Sequence, residues 1–144
     1  MRTYVPRPEW IVLDWHRACI AAKVLCVQRC GSCGVWRHPP RRFCATCFSD
    51  NVIFQPVTGN GTVLSTAVSH RSLDPGWQEQ APYATLLVEL DEGPRVLAAT
   101  ATPPDDIRIG DHVAVRIDPR SEDFVLVWAD PFDTSSTSRK RRSE

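Results

Sequence analysis

Cys30-Gly31-Ser32-Cys33 and Cys44-Ala45-Thr46-Cys47, two Cys-x-x-Cys pairs with ten residues between them, decide how this chain folds. Two thiolates three positions apart on a tight turn face one ion, and a second such turn completes the tetrahedron that zinc prefers. Gly31 and Gly34 suit such turns, because glycine tolerates positive φ and lets backbone amides approach sulfur. The spacing predicts a metal site with Cys30, Cys33, Cys44 and Cys47 as ligands and structural zinc as the occupant. Iron, which uses the same ligand set, and disulfide pairing in a secreted protein are the alternatives. Cys19 and Cys26 fall outside the pattern. They are expected as buried small apolar side chains, a fifth ligand or a reactive thiol being the other reading.

At 144 residues the chain has room for one small domain carrying a metal-stapled appendage. No apolar run approaches the ~20 residues that span a bilayer. The start, Met1 to Pro8, lacks the apolar core of a secretory signal. The expected location is therefore the cytoplasm, where thiols stay reduced and cysteine clusters bind metal.

A formal net charge of zero conceals segregation. From Trp15 through Ser49 there is no Asp or Glu, while Arg17, Lys23, Arg29, Arg37, Arg41 and Arg42 give plus six. Four thiolates on a divalent ion would return minus two. The stretch from Leu73 to Asp133 is acidic, and residues 1–138 hold 13 Lys+Arg against 16 Asp+Glu. Such a body is a poor general binder of polyanions.

Pro8 to about Lys23 reads as a helix, with Pro8 in its first turn and Glu9 at the positive end of its dipole. Ile11, Trp15, Ala18 and Ala22 recur at helical spacing, and Trp10, Val12 and Leu13 widen the apolar face. A face so broad packs on the chain's own body or docks on another chain, with Trp10 and Trp15 as the candidate partner-binding residues. Leu25–Gln28 and Val35–Arg37 read as short strands flanking the first knuckle, and Pro39-Pro40 turns the chain toward the second. His38 lies between the pairs but is surplus to a closed four-cysteine site.

From Val52 onward, short β-runs divided by turn residues indicate an all-β barrel or sandwich: 52–57, 62–70, 83–90, 95–100, 112–117 and 124–128. Gly59-Asn60-Gly61 joins the first two, Asp91 to Pro94 the next hairpin, and Asp118 to Ser121 the last pair. The longer loop holding Asp74-Pro75-Gly76-Trp77-Gln78 is where a small barrel keeps binding apparatus. His70, at a strand end near that loop, has the one conceivable acid–base position; the plainer reading is an ordinary strand-end histidine. The organisation is a helical segment over residues 1–24, a ribbon over 25–50, a barrel over 51–132 and a disordered basic tail over 133–144.

Gln28-Arg29-Cys30-x-x-Cys33-Gly34, the Pro39-Pro40-Arg41 step before Cys44-x-x-Cys47, and the Gly59-x-Gly61 turn into a barrel together resemble one family. It is the group of acyl-CoA-associated proteins that couple a rubredoxin-like zinc ribbon to an OB-fold, domain-of-unknown-function family thirty-five. The resemblance covers roughly Trp10 to Pro131. Ala45 and Phe48 depart from it, standing where proline and glycine are common around the second knuckle. It implies a mainly β fold: N-terminal helix, rubredoxin-like zinc ribbon, then a five- to six-stranded OB-fold barrel.

The resemblance also implies a hetero-oligomeric role. Members work beside thiolase-fold enzymes, aldolases or acyltransferases, or beside acyl-CoA hydratase subunits, including aldolases that shorten steroid side chains held as CoA thioesters. The large subunit then carries the chemistry, while the small one stabilises it and shapes the passage for acyl-CoA. The sequence offers no Ser-His-Asp pattern, no paired carboxylates with an evident role and no Gly-rich phosphate loop. In that setting Arg29, Arg37, Arg41 and Arg42 are candidate contacts for the CoA phosphates, which suit guanidinium forks; the plainer reading is that they offset thiolate charge or face solvent. The alternative function is a nucleic-acid-binding ribbon and OB module. It would need cations beside Phe54, Tyr83, Phe124 and Trp128, and the barrel has few. A stand-alone enzyme or electron carrier is the third reading, and a closed tetrathiolate zinc site leaves no open position for substrate.

Overall fold

The computed structural model describes residues 4–132. The expected basic tail therefore lies outside the described residues. Helix α1 (Trp10–Ala22) leads into β1 (Cys26–Cys30), β2 (Trp36–Arg37) and β3 (Val52–Pro56). These form a three-stranded antiparallel sheet in the order β2-β1-β3. There follow β4 (Asn60–Ser69), α2 (Pro75–Gln78), β5 (Tyr83–Leu90), β6 (Arg95–Ala99), β7 (His112–Pro119) and β8 (Val125–Pro131). These five strands close a barrel in the order β4-β5-β6-β8-β7.

One run sits differently from expectation. Residues 52–57 were expected to open the barrel, but β3 pairs with β1 from Cys30↔Val52 to Cys26↔Pro56. The alternation that signals a strand is the same in both places, and only the pairing partner distinguishes them. The barrel consequently has five strands and begins at Asn60.

The ribbon is two copies of one turn. Cys30 N–H donates to Val35 O and Gly34 N–H to Cys30 O, both at 2.9 Å. Cys44 N–H donates to Ser49 O at 2.9 Å and Phe48 N–H to Cys44 O at 2.8 Å. Gly34 has φ +80°, and its counterpart Phe48 holds φ +61° although it carries a Cβ. The glycine missing from the sequence at Phe48 is thus missing where the knuckle needs left-handed backbone. Between the knuckles, the buried Gln28 amide donates to Arg41 O (2.6 Å) and accepts from Arg41 N–H (2.8 Å). The side chain copies a β-ladder and pins the Pro39-Pro40-Arg41 step against β1.

Barrel closure falls on β4. It pairs with β5 from Gly61↔Leu90 to Ser69↔Tyr83, and its first three residues also pair with β7. At this crowded corner Gly59 has φ +83°, and a Cβ on it would stand 2.5 Å from Val115 O. A Cβ on Gly61 would lie 2.6 Å from the Val88 side chain and 2.7 Å from Glu89 O. Opposite, the parallel pair Ala99↔Trp128 seals β6 to β8. Alternate residues of β5, Ala84, Leu86, Val88 and Leu90, fill the interior beside Val63, Val96 and Val113.

Helix α1 begins at Trp10, so Pro8 lies ahead of it, and Glu9 caps it without a side-chain hydrogen bond. Its buried residues are Trp15, His16 and Cys19, a face rotated from the expected Ile11-Trp15-Ala18-Ala22 stripe. The helix touches both modules, which displaces the buried face toward the line between them. Trp15 Nε1–H donates to Cys26 O of the ribbon at 2.7 Å, and His16 Nδ1 accepts from Val125 N–H of the barrel at 3.0 Å. Cys19 and Cys26 are buried free thiols as expected, and burial pushes Cys19 up to about 12. No helix among the described residues is long and apolar enough to cross a membrane.

Two glycine exchanges are expected to act in opposite directions. Gly59→Ala places a Cβ at positive φ against a backbone carbonyl and should lower stability by more than ~1 kcal/mol. Phe48→Gly relieves a left-handed residue costing ~1–2 kcal/mol against a glycine entropy cost of ~0.5–1 kcal/mol, and should be neutral to mildly stabilising. Urea denaturation of both variants checks the pair; a destabilised Phe48→Gly would show that the side chain is held by packing.

Candidate metal centre and apolar cleft

The two knuckles bring the sulfurs of Cys30, Cys33, Cys44 and Cys47 within 4.8 Å of one another. The closest pairs are Cys30–Cys47 at 3.5 Å and Cys33–Cys44 at 3.6 Å, each linking one knuckle to the other. A tetrahedral ion with metal–sulfur bonds of 2.3 Å requires sulfur separations of about 3.8 Å, so the four thiols fit such an ion. Backbone amides supply the next layer. The N–H groups of Cys33 and Ser32 hold Cys30 down to about 6, and those of Cys47 and Thr46 lower Cys44. Amides aimed at sulfur favour the thiolate, the form that ligates. Ser32 and Ser49 join hydroxyls across the knuckles at 2.7 Å.

The four arginines fare differently. Arg29 is tied down: its Nε donates to Gly34 O at 2.9 Å and its guanidinium lies 4.9 Å over the Trp36 ring. Arg37 donates to Phe43 O at 3.0 Å, bracing the loop between the knuckles. Arg41 and Arg42 are exposed. Arg41 makes one long side-chain contact, to Pro40 O at 3.4 Å. Arg42 borders a groove with Trp10, Leu13, Asp14, Asp50 and Phe54.

The two tryptophans also part company. Trp10 is 83 % exposed, whereas Trp15 is 6 % exposed and belongs to the core. The helix rotation described above turns Trp15 into this chain's own core and leaves Trp10 as the exposed member of the pair.

A second concavity, of about 720 Å³, lies on the outer face of the barrel. Its floor is Leu87 of β5, Leu97 and Ala99 of β6 and Val127 of β8. Trp77 of α2 and Phe124 of the loop before β8 stand at its sides, and Trp15, His16, His38 and Pro39 close it from the helix and ribbon. Trp77 packs on Tyr83 at 5.0 Å and stacks on Trp128 at 6.2 Å. Burial lowers His16, and burial followed by the neighbouring His16 pushes His38 down to about 4, so both imidazoles are neutral at pH 7. His70 is exposed and takes no part in this cleft. Sequence reading missed the cleft because its residues come from six separated segments; the Trp77 loop was its only visible edge.

Comparison with known proteins follows this division of the chain. Residues 23–52 match the family model of the ChsH2 rubredoxin-like zinc ribbon domain, and residues 54–118 that of the ChsH2 C-terminal OB-fold domain. A DUF35 domain-containing scaffold protein of Methanocaldococcus jannaschii is 28% identical over 138 residues, 90% of this chain and 94% of that protein. One of Methanothermobacter thermautotrophicus is 30% identical over 110 residues, 73% of this chain and 82% of that protein. A probable enoyl-CoA hydratase alpha subunit of Thermomonospora curvata is 38% identical over 87 residues, 60% of this chain, which spans 27% of that protein's length. Among solved structures, a chain of the Ltp2-ChsH2(DUF35) aldolase superposes with a TM-score of 0.75 at 30% identity, covering 87% of this chain and 98% of that one. Ribbon, barrel, cysteine cluster and full-length relatives agree, and the chain belongs to the DUF35 family of ChsH2-type zinc ribbon and OB-fold proteins.

Proposed function

We propose that this chain is a non-catalytic accessory subunit of an acyl-CoA-processing complex. It binds and stabilises a thiolase-fold enzyme, a retro-aldolase acting on steroid or other side-chain CoA thioesters, and helps shape the passage for acyl-CoA. The observation that carries this reading is the superposition on 98% of the DUF35 chain of an aldolase. The relative named as a hydratase subunit supports an acyl-CoA setting, with a hydratase as the other candidate partner.

The chain's own chemistry supports the non-catalytic part. Four cysteines saturate a tetrahedral ion, so a metal held there has no position for substrate. The occupant is zinc, acting structurally: it replaces the hydrophobic core that so short a ribbon cannot build. The barrel face is a poor match for nucleic acid, since among the described residues Arg95 is the one cation lining the cleft and it stands 3.7 Å from Glu89. Exposed Trp10, beside Arg42 and Phe54, is the aromatic anchor for the partner. Arg41 and Arg42, the two arginines with little internal engagement, are the ones free to meet CoA phosphates. The protein works in the cytoplasm, where the thiols stay reduced.

Purified protein should contain one zinc per chain by elemental analysis. Cys30→Ser or Cys47→Ser, or a strong chelator, should unfold the ribbon while the barrel's β signal persists in circular dichroism; iron, or collapse of both modules, would overturn the structural-zinc assignment.

Affinity purification from the native host should recover a thiolase-fold subunit, with retro-aldol cleavage of acyl-CoA only in the mixed complex. Trp10→Ala should weaken that complex, and reversing Arg41 and Arg42 to Glu should reduce its acyl-CoA affinity by about tenfold or more. Recovery of nucleic-acid machinery instead, surviving nuclease, would replace the reading.

A further inference from the structure

The apolar cleft occupies the position where OB-folds bind their ligands. In that fold the outer face of the second and third strands, with the loops after the first and fourth strands, makes the binding surface. Here those strands are β5 and β6, the first loop carries Trp77, and the last carries Phe124. The face that elsewhere tracks a charged polymer is surfaced by Leu87, Leu97, Ala99 and Val127. Leu97 is 66% exposed there, a large apolar side chain left in water.

Concavity separates this surface from a flat contact patch. The helix, the His38-Pro39 step and the Trp77 loop wall it on three sides, and about 720 Å³ falls within the 300–1,000 Å³ usual for small-molecule sites. Such sites are mostly apolar with a few placed polar groups. Among the described residues, His38 belongs to the lining of this cleft, and its Nδ1 is buried beneath that surface without a hydrogen-bond partner. Native proteins rarely leave a buried polar atom unpaired, because the desolvation cost is then uncompensated. The neighbouring His16 is different: its Nδ1 is already engaged by Val125 N–H.

We propose that this cleft is a binding site for an uncharged apolar ligand, a chain or fused-ring group, seated on Leu87 and Leu97 beside Trp77. The ligand class follows from the cleft alone. Within the accessory role proposed above, the acyl end of the thioester is the member of this class at hand, and only that last step rests on that role. A helix of a partner subunit is the competing occupant; the walled shape and a volume in the small-molecule range favour the small molecule.

The test uses the full zinc-loaded chain without partner and N-phenyl-1-naphthylamine, a neutral aromatic probe with a single N–H whose emission rises in apolar surroundings. Saturable one-to-one binding with energy transfer from tryptophan is expected. Leu97→Arg, at an exposed position that leaves the fold intact, should weaken it by about tenfold or more by placing a charge in the apolar site. Unchanged circular dichroism and melting temperature of the Leu97→Arg variant exclude unfolding as the cause. Absence of saturable binding, or binding indifferent to Leu97→Arg, overturns the proposal. So does loss of partner-subunit assembly in Leu97→Arg without any probe binding to the wild type, which would make the cleft a subunit interface. Because the probe assay involves neither CoA nor enzyme partner, its failure leaves the accessory role standing, and failure of that role leaves the probe result standing.

Discussion

Two adjacent residues of α1 hold the molecule in one piece. Trp15 sends its indole N–H into a ribbon strand, and His16 takes an amide from a barrel strand. Both side chains are buried, their rings 4.7 Å apart, and His38 of the ribbon and Phe124 of the barrel pack on either side of them. The pair is polar at its tips and apolar in its bodies, which lets it satisfy buried backbone groups while excluding water. Apolar packing runs beside that double engagement, since Cys19, Leu25, Cys26 and Val27 share one buried cluster with the barrel interior. The surface pair Arg17–Asp123 at 2.9 Å lies on the same seam, but it is exposed and adds little.

The seam also explains the cleft. An OB barrel alone presents the outer faces of its second and third strands to solvent; here the helix and the His38-Pro39 step stand over them. The ribbon therefore does more than carry a metal. Its four thiols fix the two knuckles, the knuckles and the Gln28 amide fix the Pro39-Pro40-Arg41 step, and that step delivers His38 to the cleft. Metal, ribbon and cleft are linked through contiguous contacts rather than through the linker.

Legibility of the sequence was greatest where chemistry is local. The metal site needs four cysteines at knuckle spacing, so its ligands could be read directly, and the turns between barrel strands are announced by Gly59-x-Gly61 and Asp91 to Pro94. The departure at Phe48 was visible as a residue type, but its left-handed backbone was not. Among the arginines, composition showed a basic segment. Only packing revealed that Arg29 and Arg37 serve backbone carbonyls while Arg41 and Arg42 face outward.

Sequence alone determined the cysteine cluster, the helix, the β-rich second half and the family resemblance, because each depends on spacing within a few residues. Tertiary structure decided what spacing cannot express. It assigned residues 52–56 to the ribbon, since strand alternation does not name a partner; it turned Trp15 and His16 inward, since a helix between two modules buries the face they share. It assembled the cleft from residues up to 112 positions apart, Trp15 to Val127, since a concave surface is a property of packed elements and has no period in the chain.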